Sequence, residues 1–123
     1  MNKFLYTLAA VLLSMAASAA TTKTYTVTVA YDGTKATVTI PSEIASYVSC
    51  PSGESSRVRL IQTSTTTANP GEIIYQLSGS TDSGEFYFVG EYKATFQLNG
   101  VTIHNPDSSA VHIKDGKRIK VSM

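Results

Sequence analysis

Along Thr24-Tyr25-Thr26-Val27-Thr28-Val29-Ala30-Tyr31 the large side chains Tyr25, Val27, Val29 and Tyr31 alternate with small polar ones. A period of two puts one face of a strand inward. Asp32-Gly33 supplies a turn, and Ala36-Thr37-Val38-Thr39-Ile40 alternates again until Pro41, which cannot donate to a ladder. The pattern predicts a β-hairpin. Alternation is weaker over Ile44 to Cys50 and Arg57 to Gln62, two further expected strands separated by the turn-forming stretch Pro51 to Ser56. A polar run from Thr63 to Gly71 ends in Pro-Gly and reads as a linker.

Beyond Gly71 short apolar runs are punctuated by Gly, Asn, Asp and Ser. They are Ile73–Leu77, Phe86–Val89, Ala94–Leu98, Val101–Ile103, Val111–Ile113 and Ile119–Val121. Asn99-Gly100 is a strong hairpin signal, so a meander is the default. Spacing supports a second arrangement. If Ile73–Leu77, Ala94–Leu98 and Ile119–Met123 share a face, the step from Ile73 to Ala94 nearly equals the step from Ala94 to Ile119. That near-constant interval suits a solenoid with three short strands per turn.

The N-terminus changes the picture of where the chain works. Met1-Asn2-Lys3, an apolar run from Phe4 to Leu13, and the small residues Ala17-Ser18-Ala19 form the three parts of a signal peptide. The run is about half the length a membrane-spanning helix needs. We expect cleavage after residue 19, near Ala20 or Thr21, and a secreted chain, periplasmic or extracellular, without membrane insertion. Organisation then reads as 1–19 signal peptide, 20–62 hairpin region, 63–71 linker and, on the solenoid arrangement, 72–123 the start of a parallel β-helix.

Composition adds little chemistry of its own. Without Lys3 the chain carries 9 basic against 9 acidic residues, so nothing calls for nucleic acid. Cys50 is the only cysteine, which excludes an internal disulfide and a cysteine metal site. Threonine, tyrosine, valine and isoleucine favour strands throughout, so the fold class is all-β.

The runs Gly71-Glu72-Ile73-Ile74-Tyr75-Gln76-Leu77-Ser78-Gly79-Ser80, Gly84-Glu85-Phe86-Tyr87, Tyr92 through Ile103 and Ser109 through Ile119 resemble one family. It is the secreted carbohydrate-binding domain-containing family of Bacteroidetes and Clostridia. The resemblance covers roughly the last fifty residues, and Leu-Asn-Gly-Val-Thr-Ile and Gly-Lys-Arg-Ile are its more specific pieces. It implies a right-handed parallel β-helix shaped like a pectate lyase, a non-catalytic binder of acidic polysaccharide, and calcium as a cofactor. The chain stops at Met123 within what the resemblance makes a turn of the helix, so a truncated or fragmentary chain is expected, with self-association through an open last coil. Two other classes compete: a structural or adhesive surface solenoid, and the remnant of a polysaccharide lyase.

Candidate ligand residues follow from side-chain chemistry. Tyr87 points outward between Phe86 and Phe88, whereas Tyr75 points inward with Ile73 and Leu77. Tyr87 and Tyr92 are therefore the tyrosines able to cover the C–H face of a sugar. His112, Lys114, Arg118 and Lys120 form a basic segment suited to uronate carboxylates. A solvated face guarding an edge strand explains the same charges. His104 and His112 match no metal spacing and read as surface histidines. Weak calcium candidates are Asp82 and Glu85 in one corner and Asp107 in another, although turn chemistry accounts for them equally well.

Overall fold

The computed structural model describes residues 24–63, 72–116 and 118–123. The expected signal peptide and nearly all of the 63–71 linker lie outside these residues. The described chain is all-β apart from one turn of 3-10 helix at Ser42–Ile44. Its strands follow in order: β1 Thr24–Asp32, β2 Lys35–Thr39, β3 Val48–Ser49, β4 Arg57–Gln62, β5 Glu72–Thr81, β6 Glu85–Gly90, β7 Ala94–Leu98, β8 Thr102–Ile103, β9 Val111–Asp115 and β10 Ile119–Ser122.

They form two sheets. Sheet A runs β10-β7-β5-β1-β2, with β8 also paired to β5, and sheet B runs β3-β4-β6-β9. The chain alternates between the sheets from β4 to β7, and again from β8 through β9 to β10. Successive visits to one sheet therefore pair in parallel: β1 with β5, β5 with β7, β7 with β10, β4 with β6 and β6 with β9. Among the described residues, antiparallel pairing is confined to β1–β2, β3–β4 and an isolated bridge between Lys35 and Ser55.

The predicted hairpin is β1–β2, closed by Asp32 opposite Lys35 with Gly33 at φ 66°. The strand expected over Ile44 to Cys50 shrinks to Val48–Ser49, because the chain after Pro41 winds into the 3-10 turn that buries Ile44. Asn99-Gly100 does not make a hairpin. β7 and β8 both pair in parallel with β5, at Ile74–Leu77 and at Ser80–Thr81 respectively, so Asn99-Gly100 is a corner. Register joins Ile74 to Thr95 and Thr95 to Lys120, two nearly equal steps along the chain. Segments on both sides of the 63–71 stretch share both sheets and one core.

The core lies between the sheets and follows the alternation. Val27, Val29, Tyr75, Leu77 and Phe96 point in from sheet A, and Val58, Leu60, Phe86 and Phe88 from sheet B. The Phe96 ring meets Phe88 edge-on at 5.0 Å between centroids and Tyr75 nearly parallel at 5.4 Å. Such offset and edge-to-face contacts add to simple burial. Opposite this interior, sheet B turns the alternate positions of β4, β6 and β9 to solvent, and that arrangement positions the site.

Candidate binding face on sheet B

Arg59 sits on β4 between the buried Val58 and Leu60, Tyr87 on β6 between the buried Phe86 and Phe88, and His112 on β9 in the same register. In a parallel sheet residues in register stand side by side about 4.8 Å apart, close enough for their side chains to stack. They do so: the Arg59 guanidinium carbon lies 4.5 Å from the Tyr87 ring centroid, and the His112 ring lies 4.7 Å from it at 30°. The next outward row along the strands is Ile61, Val89 and Lys114. Arg59, His112 and Lys114 are exposed, and Tyr87 is half-buried between its two neighbours.

The row is flanked by a fixed charge pair. Arg57 opens β4 opposite Glu85, and its Nη2 donates to Asp107 Oδ2 at 2.8 Å, which ties the loop before β9 to β4. Asp107 is further held by its own N–H donating to Asn105 Oδ1 at 3.0 Å. On the other margin, the Arg59 backbone N–H donates to Ser52 Oγ at 2.9 Å, so the 50–56 loop covers the part of β4 that β3 leaves unpaired. An ion pair this exposed stabilises by less than about 1 kcal/mol. Its use is to fix position.

Of the residues singled out by sequence, Tyr87, His112 and Lys114 come together on this face. Arg118 and Lys120 do not join them. Lys120 lies in register with Thr95 on sheet A, and Arg118 immediately precedes that strand. The basic segment is split because the chain crosses from sheet B to sheet A between β9 and β10. Tyr92 lies half-buried in the corner between β6 and β7, outside sheet B. Arg59 is missed by sequence reasoning. Its outward position between Val58 and Leu60 is readable, but its neighbour Tyr87 depends on β4 lying beside β6.

The carboxylates expected to hold calcium do not gather into a metal site among the described residues. Asp82 lies in the β5–β6 corner, Glu85 stands opposite Arg57, and Asp107 is engaged by the Arg57 guanidinium. Among the described residues no group of three or more His, Cys, Asp and Glu is placed to hold a metal ion. No role is therefore assigned to calcium.

Behind the face the interior holds polar groups of its own. The Tyr31 hydroxyl donates to the Glu85 carbonyl at 2.8 Å, and the Tyr75 hydroxyl donates to Gln62 Oε1. Burial pushes both phenols well above the ordinary tyrosine range, Glu85 and Cys50 adding to the effect on Tyr31 and Asp115 to that on Tyr75. Both are neutral structural groups that anchor sheet A to sheet B.

The stacked row can therefore offer a ligand a planar cation, the edge and hydroxyl of a tyrosine, and two further basic groups on one solvent-facing plane. No family model, no curated protein and no solved structure matches the chain.

Proposed function

We propose that the protein is a secreted, non-catalytic carbohydrate-binding protein whose ligand is an acidic, pectin-like polysaccharide, and whose N-terminal hairpin leads into coils of a right-handed parallel β-helix. The helix reading is supported by the parallel registers that step from Ile74 to Thr95 to Lys120 and by the corner at Asn99-Gly100. The usual hand of crossovers between parallel strands favours the right-handed form. The binding reading is carried by one observation, the Arg59–Tyr87–His112 stack with Lys114 beside it. Tyr87, its ring faces covered by Arg59 and His112, presents its ring edge and hydroxyl to a sugar, and Arg59 offers a fork of N–H donors to a carboxylate. A polymer lying along the row meets one side chain from each strand, at a spacing of about 4.8 Å that is close to the length of one pyranose unit.

The test is calorimetric titration of the protein with an oligogalacturonate. Saturable binding is expected, weakened roughly tenfold, or about 1.4 kcal/mol, by Tyr87→Ala or Arg59→Ala. Equal affinity in both variants would reject the site.

A second reading, a self-associating surface protein, is favoured by the apolar side chains on edge strands β9 and β10. Val111 is 48% exposed and Val121 52%. Sedimentation velocity decides it: a concentration-dependent shift to larger species that Val111→Lys and Val121→Lys abolish supports it, and a monomer at every concentration rejects it.

A further inference from the structure

The outer face of sheet A is chemically unlike that of sheet B. Register carries Thr39, Thr28, Gln76, Gln97 and Ser122 into one row across five strands. Each side chain in the row bears a hydroxyl or an amide, and none bears a charge. The charged residues near it stand at the margins, Lys120 in the adjacent row and Glu72 at the start of β5, where its carboxylate accepts from Thr95 Oγ1 at 3.0 Å. At the β7–β10 side the row opens into a shallow groove of about 280 Å³ lined by Gln76, Gln97, Leu98, Asn99, Ser122 and Met123.

Hydroxyl and amide side chains both donate and accept, so they satisfy sugar hydroxyls in either sense. A row without formal charge offers a carboxylate no ion pair and no bidentate guanidinium fork. Its groups repeat once per strand, about every 4.8 Å, again near the length of one pyranose unit in an extended chain. The groove gives that chain depth at one end, where three amides converge.

We propose that this row is a second glycan site, for an extended, uncharged polysaccharide lying across the strands of sheet A. The protein then carries two faces of different specificity on opposite sides of one core. The inference stands on the sheet A row alone and does not require the acidic-sugar reading of sheet B.

The probe is cellohexaose, titrated by NMR into the protein labelled with nitrogen-15. Saturable shifts of the Gln76, Gln97 and Asn99 side-chain amides are expected, with affinity lowered at least tenfold in the variant Gln76→Val/Gln97→Val. Valine suits an exposed strand position, and circular dichroism confirms that the variant is folded. Gln97→Glu, which changes charge with little change of shape, is expected to weaken binding as well. Tyr87→Ala is expected to leave it unchanged. No saturable binding of cellohexaose, or binding that survives Gln76→Val/Gln97→Val, overturns the proposal. So does binding lost through Tyr87→Ala alone, which would assign neutral sugars to sheet B.

Discussion

Gly79 shows how closely single residues are specified. It lies in register with Tyr31 at φ 83°, and a Cβ built on it would collide with the Tyr31 carbonyl oxygen. Both the left-handed backbone and the contact oppose any side chain. Gly79→Ala is expected to cost about 2–4 kcal/mol, read as a lower urea midpoint at unchanged slope. The buried phenols give a second prediction. Unfolded tyrosines ionise near pH 10, whereas Tyr31 and Tyr75 are held neutral well beyond it. The proton is bound more tightly in the folded chain, so the associated stability is present in full below about pH 10 and is lost as the pH rises further. Urea unfolding at a series of pH values checks this: stability falls above about pH 10, and less steeply in Tyr31→Phe/Tyr75→Phe. At this scale the inward course of Tyr75 and the outward course of Tyr87 are legible in the sequence, because Phe86, Phe88, Ile73 and Leu77 mark the buried face. The closeness of Gly79 to Tyr31 is not, because it depends on β1, a partner strand far removed along the chain.

At the level of elements, the β1–β2 hairpin is readable because its whole signal is local: alternation, Asp-Gly, alternation, proline. Asn99-Gly100 carries as strong a local signal and makes no hairpin. Its flanking strands each find a neighbour in β5, and a parallel pairing that sets Phe96 and Leu98 beside Tyr75 and Leu77 outweighs a two-residue turn. Local pattern identifies strands here, while burial selects their partners. Phe96 is the clearest case, touching Tyr75, Phe86 and Phe88 across the two sheets. Phe96→Ala is expected to cost about 3–5 kcal/mol, a large share of the roughly 5–15 kcal/mol typical of a small domain. Thermal unfolding would show a markedly lower Tm, or no cooperative transition. An unchanged Tm would mean that Phe96 does not bridge the sheets.

Over the whole molecule, one alternation serves two ends. Every second residue of a strand helps to build a shared core, and the residues between lay out two solvent-facing planes whose chemistry differs because the side chains filling them differ. Sheet B carries Arg59, Tyr87, His112 and Lys114, and sheet A carries threonines and glutamines. Three of the four sheet B residues can be picked out from the sequence. The same reading joins His112 and Lys114 to Arg118 and Lys120 because the four lie close along the chain, whereas the crossing between β9 and β10 separates them in space. The measurement that bears most directly on the proposed function is chemical-shift mapping of trigalacturonate on the protein. The account predicts saturable shifts concentrated at residues 57–62, 85–90 and 111–115, lost in Arg59→Ala/Tyr87→Ala. Shifts centred on Arg118 and Lys120, or none at millimolar ligand, would contradict it.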